Sequence, residues 1–401
     1  MDKRLKILFL TNRSPFPMKD GQTRRTYHIL KELAQRNEVY LLSLYETPEE
    51  IRPDNVMHLK SFCKEVEMHP APSKRLSFPM IFRLLRSLIS SNPYTIWRHY
   101  SRSYLKRIYE LTRVAGFDLI HCDTLPIAYT VRGFNGIPAI LTDHDVSYLK
   151  VLRMAKGSNV LLKLFLYLEA YKTKRLEMNI FKEVAIGIAV SEVDKKRIQD
   201  LCPRCRIEVI ENGVDIDEFK PGLKKPEAYT ISWVGGFGHY PNKEGMYYFL
   251  DNIYPLIKKK VPNVILYLVG DGITDKLKRV SAADSSIKLT GFVENPLSYI
   301  QRTSLCIVPL LSGSGTRLKI LEAMAAGKAI VTTTIGCEGI EGIDGEHYLI
   351  ADEPGEFANK VVEVLNDSHI QTYLGNNARN LVIQKYDWKT LGKEMDSVYR
   401  S

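Results

Sequence analysis

The chain has 401 residues, with 56 Lys+Arg against 46 Asp+Glu and a net charge of +10. That length exceeds one typical domain, so two domains of roughly 200 residues each are expected, and no run approaches the ~20 apolar residues of a membrane-spanning helix. All the excess charge lies in the first half, 36 Lys+Arg against 26 Asp+Glu in residues 1–221 and 20 against 20 in 222–401, which points that half toward an anionic partner: phospholipid, a phosphorylated acceptor or nucleic acid.

The N-terminus, MDKRLKILFLT, is basic and then briefly apolar; the apolar run is too short for a signal-peptide core and predicts a buried strand over Leu5–Thr11. Gly21 follows, ahead of an apolar stripe at helical spacing (Tyr27, Leu30, Leu33, Ala34). A glycine there either lets a helix N-terminus approach an anionic group or is a plain turn residue. A second strand is expected at Val39–Tyr45. Residues 75–113 break the alternation: Met80–Ile89 is amphipathic with interleaved arginines, followed by Tyr94, Trp97, Arg98, Tyr100 and Arg102. This composition suits a helix at a lipid interface or a surface helix with a solvated basic edge, and Val160–Lys182 has the same character.

Strands are next expected at Asp118–Asp123, Pro138–Asp143, Ala185–Ser191 and Ile207–Ile210. His144 emerges at the carboxyl end of one of them, between Asp143 and Asp145, where a histidine held by carboxylates exchanges a proton near neutral pH. Six scattered cysteines fit a reducing compartment. The Cys202-Pro203-Arg204-Cys205 stretch reads as a loop, with a redox pair or half a zinc site as alternatives. Glu211-Asn212-Gly213 is a turn closing the first domain, and the polar, proline-containing run Asp217–Pro226 reads as a linker.

The second half repeats the pattern, with strands expected at Tyr229–Val234, Val264–Val269, Ile287–Leu289, Leu305–Pro309, Ala329–Thr333 and Tyr348–Ala351. Short apolar runs alternating with amphipathic stretches predict doubly wound α/β domains, whose ligands sit beyond the carboxyl ends of the strands. Gly235, Gly236 and Gly238 follow the first strand of this set and Asn242 follows them, the position of a phosphate-binding βα loop. Their spacing is not G-x-G-x-x-G, which removes support for a hydride-transferring enzyme. Ser312-Gly313-Ser314-Gly315-Thr316 opens a helix carrying Arg317, Lys319 and Glu322; because Leu318 precedes Lys319, this is not a P-loop. Loop amides, two cations and a helix N-terminus suit a diphosphate, above all one that is leaving, and a carboxylate about a turn further on suits ribose hydroxyls.

With Val209–Asp215, Leu268-Val269-Gly270-Asp271-Gly272, Leu289-Thr290-Gly291-Phe292-Val293 and Leu321–Lys328 in this order, the sequence resembles the retaining nucleotide-sugar glycosyltransferases of family 4. The resemblance implies the GT-B fold, two doubly wound Rossmann-like domains facing a central cleft. It divides the chain into an acceptor-binding domain (1–218), a nucleotide-sugar-binding domain (226–385) and a C-terminal helix (386–401) that crosses back to the first domain. By that resemblance Glu322 holds the donor ribose, His144 lies near the reacting sugar, Gly21 lies beneath the donor phosphate, and the Gly291-Phe292-Val293 loop borders the base.

Two positions depart from the family pattern. Ser314 stands eight residues before Glu322, where the family carries another glutamate, and Gly236 stands where it carries an arginine, with only Asn242 or Lys243 near its usual lysine. Arg317 and Lys319 are expected to supply that charge instead.

The expected catalytic residues are therefore His144, Arg317 and Lys319. Gly21, Asn212, Gly235, Asn242, Gly291, Phe292, Val293, Ser314, Gly315, Thr316 and Glu322 are expected to bind the donor. The expected activity moves a sugar, with retention, from a nucleoside diphosphate to a glycan, glycolipid or other cell-surface acceptor. No cofactor, metal or nucleic acid is expected. The expected location is cytoplasmic, with the basic first domain resting on an anionic membrane surface. The alternative is a non-catalytic GT-B scaffold binding a glycolipid or partner enzyme.

Overall fold

The computed structural model describes residues 3–72, 78–131, 136–156, 159–313 and 317–401. Two compact units divide the chain: residues 1–211 with Leu391–Ser401, and Asn212–Thr390.

The first unit is built on a wholly parallel sheet of β1 (Lys6–Thr11), β2 (Glu38–Tyr45), β3 (Glu65–Pro70), β4 (Leu119–Cys122), β5 (Ala139–Asp143), β6 (Ile186–Ala189) and β7 (Ile207–Val209), in the order β3-β2-β1-β4-β5-β6-β7. The order reverses direction between β1 and β4, and the crevice beyond their carboxyl ends is where such sheets bind ligands. β1 is buried along nearly its whole length, as a strand covered by helices on both faces must be. β3 was not expected from the sequence. Its EVEMHP composition has only Val66 buried, so an edge strand with a charged face leaves little apolar signal.

Helix α1 (Gly21–Arg36) follows β1. Asp20 caps it by accepting from Thr23 N–H (3.0 Å) while the Thr23 hydroxyl accepts from Asp20 N–H (3.0 Å). A reciprocal pair of this kind satisfies donors that the first helical turn leaves open. Residues 78–183 contribute α2 (Phe78–Ile89), α3 (Tyr94–His99), α4 (Ser147–Lys156) and the long α5 (Val160–Glu183).

The second unit repeats the plan with β8 (Glu227–Val234), β9 (Ile265–Val269), β10 (Ile287–Gly291), β11 (Thr303–Val308), β12 (Ala329–Thr332) and β13 (Leu349–Ile350), all parallel, in the order β10-β9-β8-β11-β12-β13. Trp233, Phe237, Phe249 and Phe357 are fully buried in its core, each contributing on the order of 2–3 kcal/mol by area removed from water. Helices α6 (Tyr240–Tyr248) and α7 (Leu318–Ala325) follow β8 and β11.

The division at Glu211 falls before the expected 218 because the following residues belong to the second unit's packing. Val214 bridges to Asp387, Val214 and Phe219 are buried in that unit's core, and Lys220 O accepts from Gln301 Nε2 at 2.7 Å. The polar run read as a linker is thus laid against the second unit. The last helix, α8 (Trp388–Arg400), begins there, and its residues from Leu391 onward belong to the first unit. Cys202 and Cys205, read from sequence as a loop, are joined by a disulfide across a turn closed by Cys205 N–H donating to Cys202 O (3.0 Å).

Candidate functional site

In the first unit the expected residues gather at the carboxyl edge of the sheet. Gly21 is exposed as the first residue of α1. The loop leading to it is tied down by an Arg13–Asp20 ion pair and by Gln22 Nε2 donating to Asn12 Oδ1 (3.0 Å). His144 follows β5 directly. Its orientation is not set by Asp143 and Asp145, as their adjacency suggested. Side chains alternate around a strand end, so Asp143 turns toward the buried Glu177 and Asp145 pairs with Lys150 (3.0 Å). The partner of His144 is Asp123, one residue past β4. Nε2 lies 2.7 Å from the Asp123 carbonyl oxygen and 3.3 Å from its Oδ1. Donation to that carbonyl places a proton on Nε2.

Asp123 is the hub of a buried network that the sequence reading missed. Its Oδ2 accepts from the Thr26 hydroxyl (2.5 Å), and the His121 ring lies 3.8 Å from its Oδ1. His121 in turn meets the Tyr399 hydroxyl at 2.7 Å and stacks on Phe9. Burial alone pushes the Asp123 carboxyl up, but the charge of His144 and the two imidazoles facing it outweigh burial and hold the group well below the usual range. Burial pushes His121 the other way, toward its neutral form, against the pull of Asp123. Arg25, fully buried on α1, donates to Ile210 O (2.6 Å) and Glu211 O, and burial lowers it to about 10. A signal for Asp123 was present, since it ends an apolar run at the same sheet edge as His144.

In the second unit the loops after β8, β9, β10 and β11 converge. Gly235 N–H donates to Val269 O (2.9 Å) and Gly270 N–H to Gly291 O (3.1 Å), so the three glycine loops are in register. Asn242 Nδ2 donates to Gly236 O (2.9 Å), and its Oδ1 accepts from Lys319 Nζ at 2.8 Å. That ammonium also sits 4.4 Å from the centre of the Trp233 ring. A Cβ on Gly235 would press on Lys319 Nζ and Asn242 Nδ2, and one on Gly313 would press on the Arg317 guanidinium. Ser312 Oγ donates to Glu244 Oε2 on α6 (2.5 Å), fastening the β11 loop to the β8 helix.

Desolvation first, and then the charge of Arg317, push Lys319 down to about 7, while Glu322 on the same helix pulls upward. Glu322 is half-buried on α7. Phe292 projects beyond β10 with 75 % of its surface exposed, Val293 behind it is half-buried, and Asn212 opens the second unit, also half-buried. Ser314, Gly315 and Thr316 lie outside the described residues. A glycine-lined floor with two cations on one wall is suited to a compact anion bearing two phosphates.

Comparison with known families matches residues 19–218 to the Glycosyltransferase Family 4 model and residues 228–367 to the Glycosyl transferases group 1 model. The chain belongs to the family 4-like GT-B glycosyltransferases. The transferase is 25 % identical over 410 residues to an uncharacterised 44.6 kDa protein in the cps region of Klebsiella pneumoniae, covering 98 % of this chain and 99 % of the relative. It is 23 % identical to the UDP-Gal:alpha-D-GlcNAc-diphosphoundecaprenol alpha-1,3-galactosyltransferase of Escherichia coli, covering 70 % and 74 % of the two chains. Among solved structures, Anabaena HepE in complex with UDP superposes with a TM-score of 0.69 at 16 % identity, covering 98 % of this chain and 99 % of that one. The two family models and glycosyltransferase relatives, among them the capsular polysaccharide biosynthesis glycosyltransferase CapM of Staphylococcus aureus at 23 % identity over 59 % of this chain and 66 % of that one, make this chain a glycosyltransferase using nucleotide-sugar donors.

Proposed function

We propose that the transferase moves a sugar from a nucleoside diphosphate to a lipid-linked or glycan acceptor of the cell envelope, with retention of configuration and without an essential metal. The observation that carries this reading is the Lys319 Nζ to Asn242 Oδ1 contact. It brings a cation from the first turn of α7 to the position after β8 where the family's own lysine is missing. Arg317 and Lys319 then stabilise the diphosphate as it departs, when its charge is greatest. Glu322 accepts from the ribose hydroxyls and Phe292 covers the base. In the first unit His144 is assigned to the reacting sugar, and Gly21 at the N-terminus of α1 to an anionic group of the substrate.

The acceptor class is supported by the E. coli relative, whose name specifies a diphosphoundecaprenol acceptor. UDP is the first donor nucleotide to try, because HepE was solved with it. The test is a panel of UDP-, GDP- and ADP-sugars with a polyprenyl-diphosphate glycan acceptor, the product anomer being read by NMR and each assay repeated in a chelator. Turnover with retained configuration that survives the chelator supports the reading. Donor binding without release of nucleoside diphosphate under any condition overturns it in favour of a scaffold.

A further inference from the structure

Soluble helices normally turn apolar residues inward and polar ones to water. Two neighbouring helices of the first unit carry apolar residues on their outward faces as well. On α2 the exposed apolar residues are Ile81, Phe82, Leu85, Leu88 and Ile89, and on α5 they are Val160, Leu161, Leu162, Leu164, Tyr167, Leu168 and Tyr171. Apart from Leu162 in the first turn of α5, both sets follow the spacing i, i+1, i+4, i+7, i+8, which makes one continuous stripe per helix. The opposite faces are the ones used for packing: Ser87 is buried on α2, and Leu166, Ala170, Leu176 and Ile180 are buried on α5.

The two helices are fastened side by side. Lys172 Nζ of α5 donates to Ser87 O of α2, and Glu169 of α5 accepts from Tyr94 N–H at the start of α3 (2.5 Å). With α4, which adds Met154, they hold half of the large apolar side chains exposed among the described residues. A patch of this kind exceeds the scattered exposed leucines that need no explanation.

Charge selects the occupant. The exposed charged residues of the three helices are Arg86, Lys150, Arg153, Lys174, Arg175 and Lys182, and the lone exposed anion is Glu183, the last residue of α5. On α5 the outward stripe is apolar up to Tyr171 and turns basic at Lys174 and Arg175, the next positions on that face. Apolar residues bordered by cations match an interface with acyl chains below and anionic headgroups above. A protein groove would offer no reason for this one-sided charge. No helix among the described residues is long and apolar enough to cross a bilayer, so these two would lie on it.

We infer that the outward stripes of α2 and α5 form a docking surface for an anionic lipid bilayer, which holds the first unit against the membrane. The inference gives a location to the lipid-linked acceptor of the proposed function and rests on that reading for its purpose. Its evidence is separate, since vesicle binding requires neither donor nor acceptor.

The test is co-sedimentation of the full chain with phosphatidylcholine vesicles that contain or lack phosphatidylglycerol, together with the variants Leu161→Glu/Leu164→Glu and Phe82→Glu/Leu85→Glu. These side chains are exposed, so folding should be retained, and circular dichroism checks it. Tyr373→Glu, an exposed apolar residue of the second unit, is the control. The expected result is binding that requires phosphatidylglycerol, weakens in salt, and falls by about tenfold or more in each double variant but not in the control. Wild-type chain that stays in the supernatant, or double variants that sediment like wild type, overturn the inference. So does loss of a dimer in the double variants with vesicle binding unchanged, which would assign the face to a second copy of the chain. Turnover on a short-chain soluble acceptor should survive in the double variants. If it is absent from the wild type as well, the functional reading has failed and the docking surface stands or falls on sedimentation alone.

Discussion

Lys319 and Asn242 meet at 2.8 Å, Nζ to Oδ1, although 77 residues separate them in the chain. The first turn of α7 thereby delivers its cation to the first turn of α6. Lys319→Ala and Arg317→Ala are each expected to lower kcat with a nucleotide sugar by about 10²–10³, the cost of removing one preorganised donor from a developing anion. Asn242→Ala leaves both cations in place and only frees one of them, so a loss nearer tenfold is expected. Steady-state kinetics on the three variants orders them. Equal, small losses would detach the pair from the chemistry.

The same lysine makes donor binding pH-dependent. Burial and Arg317 hold its free-state value at about 7, and an arriving diphosphate favours the charged form and raises it. Free protein therefore takes up a proton on binding above neutral pH. The dissociation constant should rise with pH from about 7, by up to about tenfold per unit, because the ammonium must be re-formed to bind. Calorimetry in buffers of different ionisation enthalpy measures the uptake. Lys319→Arg, which stays charged, should abolish both the uptake and the slope.

His144 depends on Asp123, and the two should behave as one unit. Asp123→Asn removes the negative charge that faces the ring while keeping its shape, so kcat is expected to fall by about 10–100-fold with little change in donor affinity. Combined with His144→Ala, the second change should add nothing. Fully additive losses in this double-mutant cycle would separate the residues. Tyr399→Phe tests the outer end of the network: it breaks the contact to His121 and should give a smaller effect of the same kind.

Much of this was legible in the sequence, and the exceptions have physical causes. Buried strands such as Ile7–Leu10 declare themselves by composition, whereas the edge strand at Glu65–Pro70 buries one valine and does not. Lys319 was legible because it stands beside glycines at a helix start. Asp123 was legible only as the polar end of an apolar run: its pairing with His144 arises from strands β4 and β5 lying side by side, a juxtaposition no local pattern contains. Asp143 and Asp145 drew attention instead because they adjoin His144 in sequence, but a strand end turns neighbours to different sides.

Where Asp143 does point sets a stability prediction. Burial pushes both Asp143 and Glu177 upward, Glu177 against the pull of hydrogen bonds from Ser147 and Tyr148 N–H groups, and the pair keeps a proton well above the usual carboxylate range. The unfolded chain releases those protons near pH 4. Between that value and the neutral range the folded state holds more protons than the unfolded one, so this pair's contribution to stability declines as pH rises through the window. Glu177→Gln keeps an acceptor for Ser147 N–H (2.6 Å) and removes one of the two titrating groups. Thermal melts should show the variant gaining on wild type steadily between about pH 5 and 8. A difference that does not change with pH would remove the shared proton.

The glycine loops of the second unit provide the last prediction, because three glycines there have different reasons for being glycine. Gly270 has φ of +149° and a Cβ on it would collide with the Gly235 carbonyl oxygen. Both backbone segments are tied to neighbouring strands and cannot retreat. Gly291 has φ of +72° but open space around it, so alanine there meets only backbone strain of about 1–2 kcal/mol. Gly238 has neither a collision nor a left-handed backbone. Alanine is therefore expected to be severe at 270, modest at 291 and near neutral at 238, as read by thermal unfolding and by donor affinity together. Loss of donor affinity in Gly270→Ala at a temperature where the fold survives would locate the damage in the floor beneath Lys319. An unchanged affinity would place the donor elsewhere.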